Sequence, residues 1–167
     1  AGGNVLYHNN GDGSFTRVLT GAPVDDVANS VGCSWGDYDN DGFLDLFVAN
    51  GGIVGSENNF LYHNNGNGNS WLKIKCVGTG SNRSAIGAKV RVHAVIGGSG
   101  RWQMREILAG TSYGGPSALE AHFGLGDAAV ADTVRIEWPG GGVEQLTQLA
   151  ADARLTVIQG QATLDVP

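Results

Sequence analysis

Apolar residues fall on every second position through most of this chain, the period of a half-buried β-strand. GAKVRVHAVI (87–96) puts Val90, Val92 and Ala94 on one face and Lys89, Arg91 and His93 on the other. DTVRIEWP (132–139) repeats the pattern with Val134, Ile136 and Trp138. WLKIKCV (71–77), WQMREIL (102–108), LEAHFG (119–124) and RLTVIQ (154–159) read the same way. VEQLTQL (143–149) is ambiguous, because Val143, Leu146, Leu149 and Ala150 also fit one side of a short helix. No other segment supports a helix of three turns. Short alternating strands separated by glycine-rich turns predict a β-sandwich or small barrel over residues 71–167.

Residues 1–70 carry a different pattern. VGCSWGDY (31–38) alternates through Val31, Cys33 and Trp35. FLDLFVAN (43–50) sets Leu44, Leu46 and Val48 against Phe43, Asp45 and Phe47, so an aspartate shares a face with two phenylalanines. An internal repeat flanks these strands. NVLYHNNGDG starts at Asn4, and NFLYHNNGNG starts at Asn59. Each copy is a short strand followed by a tight turn; the first continues into FTRVL (15–19). Self-similarity at such a period marks stacked units, propeller blades among them. The chain therefore reads as all-β: a partial blade-like sheet in 1–70, packed on a sandwich or barrel in 71–167.

Composition narrows the partners. Twenty-eight of 167 residues are glycine, well above the usual ~7%, which suits many tight turns. A net charge of −6 and a pI near 5.0 disfavour a general nucleic-acid surface. The basic residues Arg83, Lys89, Arg91, Arg101 and Arg105 alternate with acidic ones and read as a solvated sheet face. No run approaches the 18 apolar residues of a membrane span. Cys33 and Cys76 lie in alternating strands and read as two buried thiols, with a mutual disulfide as the second reading. The opening AGGNVLYHNN enters mid-pattern, as if inside a larger unit.

DYDNDGFLD (37–45) holds the densest chemistry. Asp37, Asp39, Asp41 and Asp45 occupy relative positions 1, 3, 5 and 9, and Gly42 follows position 5. Calcium loops use this opening: alternate carboxylates, a glycine for the sharp turn, then a backbone carbonyl, here that of Phe43. The ion would cancel repulsion that otherwise raises the carboxyl pKa values. The sequence is not an EF-hand, since no glutamate stands at position 12 and the flanks are strands. The expectation is a Ca2+ loop in a β context, with Asp37, Asp39, Asp41, the Phe43 carbonyl and Asp45 as ligands. An acidic turn with no ion is the plain alternative. The turns NNGDGSF (9–15) and NNGNGNS (64–70) read as turns, with Asp12 as a secondary candidate.

WGDYDNDGFLDLFVANGG followed by NNFLYHNNGNG resembles an FG-GAP/VCBS-type repeat, the blade unit of integrin-like propellers. In that family the acidic loop binds calcium, which the resemblance carries onto Asp37, Asp39, Asp41 and Asp45. WLKIKCVGTGSNRSAIGAKVRV (71–92), REILAGTSYGGPSALEAHFGLGD (105–127) and VRIEWPGGGVEQL (134–146) resemble the ASPIC/UnbV domain. The pair of resemblances implies an extracellular or periplasmic module with matrix or adhesion roles. Closed propellers need about four blades or more. This chain offers two strands of one unit and three of the next. The five strands make one sheet packed on the second domain, several chains associate, or a larger portion lies upstream; the first is the expectation.

No residue is assigned a catalytic role. His8 and His63 are equivalent repeat positions, and His122 reads as a structural histidine. Ser81 and Ser84 lack the setting of a hydrolase nucleophile. Glu106, Glu120 and Glu137 read as partners of Arg91, Arg101, Arg105 and Arg135 on neighbouring strands. The functional expectation is a non-enzymatic calcium module that contacts protein or carbohydrate, with Trp102, or Tyr113 in the loop 110–118, as exposed aromatics. The alternatives are a polysaccharide hydrolase or lyase with structural calcium, and a structural part of a larger propeller protein.

Overall fold

The structure is a computed structural model that describes residues 2–52, 57–110, 118–161 and 164–165. It is all-β. The strands are β1 (Gly2–Gly3), β2 (Leu6–Asn9), β3 (Phe15–Val18), β4 (Val27–Ala28), β5 (Ser30–Gly36), β6 (Asp45–Asn50), β7 (Phe60–Tyr62) and β8 (Ser70–Val77). They continue with β9 (Lys89–Ile96), β10 (Ser99–Glu106), β11 (Ala121–Gly126), β12 (Val130–Glu137), β13 (Val143–Ala150), β14 (Ala153–Ile158) and β15 (Leu164–Asp165).

The second half is an open sandwich with no closed barrel. One sheet runs β10-β9-β12-β13, antiparallel throughout. The other runs β11-β8-β14-β15, with β8 and β14 parallel. Val90, Val92, Ala94, Val134 and Ile136 from the first sheet meet Leu72, Ile74, Phe123, Leu125, Leu155 and Val157 from the second in one buried core. These are the inward positions of the alternating pattern, and their burial is the main driving force for this half. VEQLTQL is strand, not helix. Its helix-like spacing has a backbone cause: Gln148 adopts φ 56°, and the alternation breaks between Leu146 and Leu149. The facing strand breaks in step, so Ala131 and Val134 are both buried opposite Leu149 and Leu146.

The first half departs from the single sheet expected. Its strands form three small sheets: β1-β4, the hairpin β2-β3, and β5-β6-β7. Only the last has a buried spine, with Leu46 and Val48 on its central strand. The β5 alternation is real, but its face is not covered. Val31, Cys33 and Trp35 are exposed, which corrects the expectation that Cys33 is buried. Cys76 is buried as expected; burial pushes its thiol up to about 12, and it is not joined to Cys33.

Candidate functional site: an acidic loop on a basic sheet face

The acidic segment is the turn between β5 and β6. Its shape follows from two left-handed residues, Asn40 (φ 62°) and Gly42 (φ 93°). Asparagine and glycine are the residues that adopt this region most readily. Each carboxylate then satisfies a nearby backbone N–H. The Gly42 N–H donates to Asp37 (2.9 Å), Asp41 to Asp39 (3.2 Å), Phe43 to Asp41 (2.8 Å) and Tyr38 to Asp45 (3.1 Å). The second Asp45 oxygen accepts from the Asn64 N–H at 2.8 Å. That bond ties the second repeat copy to the loop and explains the aspartate on a phenylalanine face: Asp45 is buried but fully hydrogen-bonded.

The loop sits on the outward face of β8, β11 and β14. Register places His122, Lys73 and Arg154 side by side on one rung. Lys73 Nζ donates to Asp37 Oδ2 at 2.7 Å, with only 6% and 2% of the two side chains exposed. Its ammonium also lies 4.0 Å from Glu120, which Arg154 holds through two guanidinium nitrogens. His122 Nε2 donates to the Gly42 carbonyl at 2.8 Å. Burial lowers the His122 pKa and keeps the ring neutral, so it acts as the structural histidine expected. Burial pushes the Asp37 carboxyl up, but Lys73 and the Gly42 N–H outweigh it, and the group sits below its ordinary value. The Trp71 indole covers Gly42 so closely that a Cβ there would overlap it.

Two carboxylate groupings result. Asp37, Asp39 and Asp45 bring ligand oxygens within 4.8 Å of one another. Asp39 and Asp41 form the other grouping with His63, whose Nε2 lies 2.8 Å from Asp39 and 3.6 Å from Asp41. Hydrogen bonds to the side-chain oxygens of Asn65 and Asp39 raise the His63 pKa despite its partial desolvation. Phe43 is placed by its N–H bond to Asp41, and its ring rests against Gly66 of the second repeat turn. Among the described residues, Asp37 Oδ1 is buried with no hydrogen-bond partner, a costly state for a charged oxygen. The donor set of hard oxygens and this orphaned atom fit a calcium ion.

Lys73, His63 and Asn64 are the site residues that sequence reasoning did not assign. Lys73 reads from sequence as one more polar residue on a strand. No local signal marked it, because Asp37 lies 36 positions away along the chain. Asp12 lies apart, bonded to Ser14 within its own turn. Arg91 pairs with Glu137 across neighbouring strands at 3.2 Å, and Arg135 reaches the same carboxylate along its own strand at 3.3 Å. Tyr113 lies outside the described residues.

Residues 78–164 match the profile of the ASPIC and UnbV family. The chain belongs to that family. Residues 1–48 match the FG-GAP-like repeat, so this ASPIC and UnbV protein carries the repeat that precedes its sandwich. Cartilage acidic protein 1 of Homo sapiens is 29% identical over 137 residues, covering 82% of this chain. Its Mus musculus counterpart matches at 29% over the same length. The chain spans about one fifth of these relatives, 20% of each. Among the described residues, no helix is long and apolar enough to cross a membrane.

Proposed function

We propose that this ASPIC and UnbV chain is an extracellular β module that binds calcium at the β5–β6 loop and makes contacts with protein or carbohydrate, without catalysis. The observation that carries the ion is Asp37 Oδ1, buried with no hydrogen-bond partner among the described residues, on a carboxylate grouped with Asp39 and Asp45. Four aspartates face one buried lysine and one exposed histidine, which leaves negative charge for a divalent cation to cancel. Asp37, Asp39 and Asp45 would hold the ion, with Asp41 and the Phe43 carbonyl completing the set named from sequence. Calcium would supply charge neutralisation and loop rigidity, and the protein's own residues do the rest: Lys73 fixes Asp37, and Asn64 fixes Asp45.

The contact role draws on the open face of sheet β10-β9-β12-β13. Trp102 is 59% exposed there, its ring tilted against that of His93 at 5.1 Å, with exposed Met104 two positions along the same strand. An aromatic on a flat sheet face suits a partner surface better than a reaction centre. The hydrolase reading would need a carboxyl held protonated near neutral pH. Asp37 and Glu120 are instead held by Lys73 and Arg154 as acceptors.

The reading as part of a larger propeller draws on a second observation. The hairpin β2-β3 pairs with no third strand among the described residues and exposes Val5, Tyr7, Phe15 and Leu19. A lone two-stranded hairpin is marginal in water, so a neighbouring blade would cover it.

A thermal melt in calcium and in chelator tests the ion. Calcium at about 100 times its Kd should stabilise the fold by roughly 2.7 kcal/mol, and Asp39→Ala should remove most of that gain. Identical melting with calcium and chelator would reject the calcium reading.

A further inference from the structure

Beside the acidic loop lies a cleft of about 550 Å³, between Asp37, Asn40 and Leu44 on one side and the outward face of β8, β11 and β14 on the other. Four cations line it, Lys73, Lys75, Arg83 and Arg154, against two carboxylates, Asp37 and Glu120. The excess is positive in a chain of net charge −6. The two carboxylates are already committed, Asp37 to Lys73 and Glu120 to Arg154. Lys75 and Arg83 are both exposed and have no ion-pair partner among the described residues. An anion entering the cleft therefore meets two uncommitted cations and displaces no existing pair. The Ser84 hydroxyl stands next to Arg83 on the same wall and adds a neutral donor.

The remaining walls decide the class of ligand. Leu44, Val77 and Leu119 give aliphatic surface, and no Trp, Tyr or Phe lines the cleft among the described residues. A sugar ring has no aromatic plane to stack on here, whereas aliphatic side chains have a surface to bury. The volume lies within the range of small-ligand sites and holds a few side chains.

We propose that this cleft docks an acidic peptide segment, with an Asp or Glu carboxylate held by Lys75 and Arg83 and its aliphatic neighbours resting on Leu44, Val77 and Leu119. The proposal rests on the reading of the chain as a contact-making module, but not on the calcium ion or on the Trp102 face. Charge-assisted bonds at an exposed rim weaken with salt, so the binding should fall as ionic strength rises.

The test is fluorescence anisotropy with a dye-labelled, end-capped Leu-Glu-Glu-Leu peptide at low salt, run in calcium and in chelator. Saturable binding is expected. Replacing both glutamates with glutamine should weaken it by about tenfold or more, and so should the double variant K75E/R83E. R17E/R101E makes the same change in net charge at exposed positions away from the cleft and should leave binding unchanged. The proposal is overturned by any of four results: no saturable binding, equal binding of the glutamine peptide, equal loss in R17E/R101E, or tighter binding of an oligogalacturonate than of the peptide. Peptide binding without any calcium-dependent melting shift would reject the ion alone. A calcium shift without peptide binding would reject the cleft alone.

Discussion

Lys73 is the residue on which the charge balance of the site turns. A buried ammonium between Asp37 and Glu120 stabilises little by itself, because desolvating both partners offsets most of the attraction. Removing it is another matter, since Asp37 is then left buried and unpaired. Lys73→Met should cost about 3 kcal/mol in urea denaturation, measured in chelator so that no ion compensates. The double variant D37N/K73M should cost less than the two single changes added together, because it leaves no charge stranded at Asp37. Asp37 also sets a pH dependence. Its carboxyl is held below the ordinary value, so the folded state binds fewer protons there than the unfolded state. The contribution is complete above the unfolded value of about 3.9 and is lost as pH falls through the folded one. Wild-type stability should therefore drop more steeply below about pH 4 than that of Asp37→Asn, as read from denaturation midpoints across an acid series.

At the scale of elements, the strands of the sandwich were legible because period-2 alternation is a local property. Val90, Val92 and Ala94 face inward, and their neighbours face out, as the pattern requires. The β5–β6 turn was legible too, since alternate aspartates before Asn-Asp-Gly specify a tight loop. Two things were not. Covering a face depends on what packs there, so the alternation in β5 could not tell that Cys33 and Trp35 would be exposed. Pairing between distant strands is equally non-local, so the link from Lys73 to Asp37 across 36 positions left no mark in either segment. Glycines in the turns separate local from long-range demands. Gly42 and Gly68 both have positive φ, but a Cβ on Gly42 meets the Trp71 ring and one on Gly68 meets open space. Gly68→Ala should cost about 1 kcal/mol for the backbone alone. Gly42→Ala should cost about 3 kcal/mol, with steric overlap added. Equal losses in equilibrium unfolding would show that Trp71 does not constrain the turn.

The whole molecule is a well-buried sandwich bearing a thinly packed, blade-like half. The core cluster lies almost entirely in β8 to β14 and the turns between them, whereas large apolar side chains of the first half are open to solvent. The two halves meet at the loop through Lys73 to Asp37, His122 to the Gly42 carbonyl, and the Trp71 ring over Gly42. The junction thus uses complementary charge, an acidic loop set on a basic sheet face, and the calcium reading places the ion at that seam.

Trp71 closes over the loop backbone at Gly42, which gives the protein a built-in optical reporter. An indole pressed against a loop changes its emission when the loop tightens or loosens, whereas Trp138 is buried near the far sheet and Trp102 faces solvent. Because Trp35 on β5 also lies two residues from Asp37, titrating calcium in a Trp35→Phe background while following tryptophan emission should give a saturable change that Trp71→Phe abolishes and Trp102→Phe does not. The state of the loop can then be followed without any attached label.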